Sequence, residues 1–345
     1  MPSSGATYSL GRLPWSDEVL VASVWRDFKT AQKLVDEHPG CDLHERSSSL
    51  QSVLHIFNDA VSTFHERLIR FHTEAHGGHL FRRNRRADLD AYEAAFQQIL
   101  YLFASSAMTL VDQSRALSMK VELPGYKERV RATFESNPRH KFIQELRNDL
   151  IHVTLHQPSW QITTDRDRES TSQFMLWPDQ LSRSGKYSTL ARAYVLDHPE
   201  GIDLGVLIDQ YAKDVRELQD WLDIALNAAV GPVIEDYKRC SKRIKAVSSR
   251  SWWSIIFEQV VLPAKRDPYQ YLDQYLTPEE LAEVNSLPFK SKAQVDRIIS
   301  LVDEYDACDS DLRAVIYNAF GEPVNNSLCF GAQMSSVQQE RHESC

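Results

Sequence analysis

Apolar positions recur along this chain mostly at alternating three- and four-residue steps, the period of an amphipathic helix. Ser16 reads as an N-cap for a helix that ends near the Pro39-Gly40 break. Leu50, Leu54, Phe57, Val61, Phe64, Leu68 and Phe71 then form one stripe, which Gly77-Gly78 should stop. A third helix is expected after Arg86, and its centre, Ile99 to Val111, is apolar nearly all round, as suits a helix enclosed by others. Asn137 followed by Pro138 marks the start of a fourth helix, which Pro158 must end. Leu204, Ile208, Tyr211, Val215, Leu218, Leu222, Ala225 and Ala229 mark a long helix that Gly231-Pro232 should kink or break. That stripe also fits a supercoiled pairing seam.

One segment departs from this period. Trp160, Ile162 and Thr164 alternate with polar residues, and Phe174 to Trp177 follows the charged stretch Asp165 to Glu169, so a β-hairpin is expected near 159–177. Beyond Ser248-Ser249 the texture changes to shorter helices, with starts at Thr277-Pro278-Glu279-Glu280 and at Ser291. The expected class is therefore mainly α. Residues 15–248 form a helical bundle with a small β-hairpin insertion, and 249–322 a small helical C-terminal unit. Residues 1–14 and 323–345 lack periodicity and read as flexible ends.

Composition narrows the function. No run approaches the roughly 20 apolar residues of a membrane helix, and Met1 to Leu13 lacks a secretory pattern, so no membrane and a cytoplasmic location are expected. The five cysteines, Cys41, Cys240, Cys308, Cys329 and Cys345, are scattered and read as free thiols. A net charge of -9 argues against nonspecific coating of nucleic acid, so any RNA contact must be local. Two basic clusters could supply it. One is Arg82, Arg83, Arg85 and Arg86; the other is Lys127, Arg129, Arg131, Arg139 and Lys141. Lys238 to Lys245 is a weaker third. His65, His72, His76 and His79 follow helical spacing but lack a cysteine or carboxylate cluster, so they read as core-edge histidines and no metal or other cofactor is expected. Trp252 and Trp253 read as buried against the long helix.

The most specific local pattern is Arg147-Asn148-Asp149-Leu150-Ile151-His152. On a helix, Phe142, Ile143, Leu146, Leu150 and Val153 gather on one side, while Asn148 and His152 sit together on the other. Arg147 lies about 140° around the axis from His152, so one helix cannot easily aim both at one phosphate. A two-fold dimer would bring two copies of each residue into one cleft.

An Arg, a polar residue and a His four to six residues on, late in a helical bundle, resembles the HEPN superfamily, many of whose members are metal-independent endoribonucleases. The resemblance covers roughly Asp17 to Ala229 as a helical layout and is residue-specific only around Phe142 to His152. It implies a homodimer that cleaves RNA by 2′-hydroxyl attack. His152 would act as general base or acid, Arg147 would stabilise phosphoryl charge, and Asn148 would hold substrate or His152. It also implies a toxin or antiviral-defence role, with a protein antitoxin or regulator as a further partner. The alternative is a noncatalytic helical dimerisation or interaction module.

Overall fold

The computed structural model describes residues 13–152, 159–164, 170–182 and 187–321. In chain order its elements are α1 (Asp17–Arg26), α2 (Phe28–Asp36), α3 (Pro39–Ala75), α4 (Arg86–Ser118), α5 (Tyr126–Val130), α6 (Pro138–His152), β1 (Ser159–Thr164), β2 (Ser170–Leu176), α7 (Pro178–Ser182), α8 (Thr189–Leu196), β3 (Ile202–Asp203), α9 (Leu204–Ile255), α10 (Pro278–Asn285), α11 (Lys292–Val302) and α12 (Ser310–Phe320). The protein is mainly α with one small antiparallel sheet. Its contacts divide it into two compact units, residues 39–237 and residues 1–38 with 238–345.

In the larger unit, α3 and α4 form an antiparallel pair held by phenylalanines. Phe57, Phe64 and Phe71 recur every seven residues and are buried, as are Phe96 and Phe103 on α4. Phe57 meets Phe103 at 5.5 Å, Phe64 meets Phe96 at 5.3 Å, and Phe71 meets Tyr92 at 5.3 Å between ring centroids, so each step up one helix is matched by a step down the other. Each such ring contributes about 1.5–3 kcal/mol by leaving water. The segment 83–118 is long and apolar enough to cross a membrane, contrary to the expectation that no stretch would be. However, 61% of its most apolar window is buried inside the protein, as befits a core helix.

The expected hairpin forms, with β1 and β2 paired from Ser159↔Met175 to Thr164↔Ser170. Residues 165–169, between the two strands in sequence, lie outside the described residues. A third strand, too short to announce itself, pairs Met175 with Asp203 and Leu176 with Ile202. Phe174 stacks on Phe96 at 3.6 Å and meets Phe71 at 4.9 Å, which seats the sheet on the α3–α4 pair. Gly201 enters β3 at φ +97°, where a Cβ would also press on Met175 Cε at 3.0 Å. Asp203 then caps α9, its Oδ1 accepting from Gly205 N at 2.8 Å.

Several expected boundaries move. The first helix is two, because Asp27 takes an extended backbone and its carboxylate caps the second at Thr30 N, 3.3 Å. Pro39-Gly40 opens α3 instead of breaking the chain, since proline at a first helical position has no amide to lose. Gly77-Gly78 does end α3, in a 3₁₀ segment where Gly78 has φ +74°. Helix α9 continues through Gly231-Pro232 and past Ser248-Ser249 to Ile255, so neither interrupts it. It contributes residues 204–237 to the larger unit and 238–255 to the smaller.

The smaller unit takes Trp15 to His38 together with the C-terminal helices, whereas the sequence suggests a boundary near 248 that leaves the N-terminal helices in the bundle. The reason is the basic stretch Lys238 to Lys245, which meets carboxylates of its own unit. Arg239 pairs with Asp17 at 2.5 Å, Lys242 with Asp306, and Lys245 lies over the Tyr305 ring. The expected caps hold: Thr277 and Glu280 form a capping box for α10, and Ser291 caps α11. Phe257, Leu272, Val284, Val295, Ile298 and Phe320 belong to this unit's core. Trp253 packs against it, but Trp252, expected to be buried, is 62% exposed on the same helix.

Pro232 is exposed and its ring nitrogen cannot donate to the preceding turn of α9. Pro232→Ala is therefore expected to raise stability by about 1 kcal/mol or more in urea unfolding. A lowered midpoint would mean that the ring packs usefully.

Candidate active site

Helix α6 begins as its sequence demands. Asn137 Oδ1 accepts from Arg139 N at 3.0 Å, and Pro138 occupies the first helical position. Phe142, Ile143, Leu146 and Leu150 are buried, as the period predicts, with Phe142 stacked on Tyr194 of α8 at 5.2 Å. The opposite strip holds Lys141, Gln144, Glu145 and Asn148, half-buried to exposed.

Within the motif, Asn148 is exposed and Arg147 half-buried. Arg147 Nη1 donates to Asn148 Oδ1 at 3.4 Å, while its Nε is enclosed and has no hydrogen-bond partner among the described residues. Asp149, to which sequence reading gives no role, is only 7% exposed. It lies about 60° from Leu146 around the axis, at the edge of the buried face. The helix includes position 152, one turn beyond Asn148, but the side chain of His152, on which the expected chemistry centres, lies outside the described residues. Of the three predicted catalytic residues, the structure thus brings together Arg147 and Asn148.

The predicted RNA-contact residues separate into committed and uncommitted groups. Arg85 binds Asp88 at 2.7 Å and Glu74 at 3.3 Å, and Arg86 binds Asp90 at 2.9 Å. Arg139 binds Asp214 at 3.2 Å with both side chains about three-quarters covered, so it braces α6 against α9. Arg129 lies over the Trp221 ring at 5.0 Å, and Lys141 Nζ donates to Gln144 Oε1 at 3.2 Å. Arg82, Arg83 and Lys127 are exposed and have no carboxylate in ion-pair range among the described residues. The histidine set does not converge: His65 meets Asp209 Oδ1 at 2.9 Å, and His72 Nδ1 meets Ser172 Oγ at 3.1 Å. Cys41, Cys240 and Cys308 form no disulfide among the described residues.

The polar pair that sequence reading missed is His140 and Tyr211. Both are buried, with Tyr211 Oη 2.9 Å from His140 Nδ1, and Phe134 lies 4.8 Å from the imidazole. Burial, then the charges of Lys141 and Arg115, push the His140 pKa down to about 3, so the ring is neutral, and in the tautomer with Nδ1 unprotonated it accepts a hydrogen bond from the Tyr211 hydroxyl. Burial drives the Tyr211 pKa upward, which keeps that proton in place. The same effect raises Asp214, against the opposing pull of Arg139. Tyr211 stood in an apolar stripe and His140 next to a helix start, so only their long-range contact reveals them.

Two predictions follow from this bracing. Unfolded chains protonate histidine below pH about 6.5, whereas folded His140 stays neutral to about 3. The native state is therefore favoured fully above pH 6.5 and loses about 1 kcal/mol per pH unit as pH falls through that window. His140→Gln, keeping an acceptor for Tyr211, is expected to remove that part of the slope in urea unfolding measured from pH 7 to 4. Arg139→Ala, which strands Asp214, is expected to cost about 1–3 kcal/mol, against no more than about 0.5 kcal/mol for Arg82→Ala with Arg83→Ala. Equal losses would place Arg139 outside the brace.

No family model, curated protein or solved structure matches this chain.

Proposed function

We propose that this chain is a metal-independent endoribonuclease of HEPN type, acting in the cytoplasm as a homodimer. The observation that carries this reading is the solvent-facing strip of α6. Asn148 is exposed, with the Arg147 guanidinium 3.4 Å from its Oδ1, on a helix whose other face is sealed into the core. The motif thus offers donors suited to a phosphate where a second chain or an RNA strand can reach them.

In the proposed reaction, His152 removes the 2′-hydroxyl proton and the oxygen attacks the adjacent phosphorus. Arg147 offsets the charge that builds on the nonbridging oxygens, its guanidinium remaining protonated throughout. The 5′-oxygen leaves with a proton from the second His152, giving a 2′,3′-cyclic phosphate and a 5′-hydroxyl. Two copies are needed because five helical positions put Arg147 about 140° from position 152. Arg82, Arg83 and Lys127 are exposed cations able to attract RNA. A toxin or antiviral-defence role, held in check by a protein antitoxin or regulator, fits such an activity.

One observation favours a second reading. The enclosed Nε of Arg147 is what a structural interface arginine would show, and a noncatalytic HEPN-like dimerisation or interaction module would use the same strip for a partner alone. Incubating the purified chain with mixed RNA in EDTA separates the two. The enzyme reading expects cyclic-phosphate ends, and a loss of at least about 100-fold in rate for His152→Ala and for Arg147→Ala. No cleavage by a folded dimer supports the module, and cleavage untouched by both substitutions removes the site assignment.

A further inference from the structure

The smaller unit contributes nothing to the proposed ribonuclease, yet it contains a cavity of about 290 Å³. Phe257, Leu272, Ile299, Val302, Leu312 and Ile316 form its body. Few charged groups reach it. Asp303 does, its Oδ1 accepting from Ala307 N and its Oδ2 from Cys308 N, each at 2.8 Å, so both oxygens are engaged by the loop before α12. Cys308 is a neutral thiol there, burial pushing its pKa up to about 11. Arg266 also lines the cavity. It is exposed and has no carboxylate in ion-pair range among the described residues. Tyr271 and Tyr275, 39% and 64% exposed, add amphipathic rings to the lining.

An apolar body with one uncommitted cation at its exposed edge is the complement of an amphipathic anion. We infer that this cavity binds a small molecule with an aliphatic chain ending in a carboxylate, the chain lying against Leu272, Ile299 and Ile316 and the carboxylate on Arg266. The guanidinium fork suits a carboxylate in particular, since two parallel donors match its two oxygens.

Calorimetric titration of the full chain with decanoate, 1-decanol and decylammonium tests this. Decanoate is expected to bind about tenfold more tightly than decanol, and decylammonium least. Arg266→Gln, a surface change, is expected to bring decanoate down to the level of decanol while leaving decanol unaltered. Ile299→Trp, which fills the cavity, is expected to abolish both, with an unchanged circular dichroism spectrum confirming the fold. Failure of all three probes to bind, decanoate affinity indifferent to Arg266→Gln, or preference for decylammonium would overturn the inference.

Discussion

The seven-residue recurrence of phenylalanine on α3, answered on α4, is the constraint on which the larger unit depends. Seven residues fall only about 20° short of two helical turns, so Phe57, Phe64 and Phe71 stay on one face of a 37-residue helix long enough to meet a partner along much of its length. Because Phe103, Phe96 and Tyr92 meet them in reverse order, register and direction are fixed together. A slip by one turn would lose the ring pairs at every level at once. Phe174 closes the far end of the same ladder, so the sheet is placed by the helices and could not stand alone as three short strands.

That ladder also decides what α6 can display. The helix packs its apolar face inward and is clamped near its start by two polar links to α9, His140 with Tyr211 and Arg139 with Asp214. Buried polar contacts add little net stability but cannot be satisfied in a rotated helix, so they select one orientation. In that orientation Asp149 turns inward, Arg147 lies at the boundary and Asn148 faces solvent. The exposure of the motif is thus a consequence of His140 and Arg139, eight positions before Asn148 and Arg147 respectively.

Much of the fold was legible because it is written in local chemistry. Ser16, Thr277 and Ser291 cap helices as their sequence context suggests, and the alternation around Trp160 and Ile162 gives a strand. The errors arose where a residue type has two uses. Asp27 lies within what reads as one helix from Ser16 to Pro39, and proves to be a cap that divides it. Pro39 reads as a breaker and proves to be a start; Pro232 reads as a breaker and is tolerated, its missing donor being one bond in a 52-residue helix. The same ambiguity affects the candidate site. Basic residues near Arg147 in sequence suggest an RNA surface, but Arg139 is occupied inside the fold, a fact carried by Asp214, 75 positions away.

The distribution of committed cations bears on how such a surface could work. Arg85, Arg86, Arg139, Arg239 and Lys242 each have a carboxylate partner, so the residues that make the chain look locally basic mostly neutralise its own acids. With a net charge of -9 there is no broad positive field to draw a polyanion in from a distance. Of the two basic clusters, Arg82, Arg83, Lys127 and Arg131 are exposed without a carboxylate in ion-pair range among the described residues, and so few cations release few counterions. Recognition of a strand by this protein would then rest on close-range donors such as Asn148 and Arg147, whose geometry is set by the core. Selectivity in that regime comes from shape and hydrogen bonding at one bound phosphate, with long-range attraction a minor contribution.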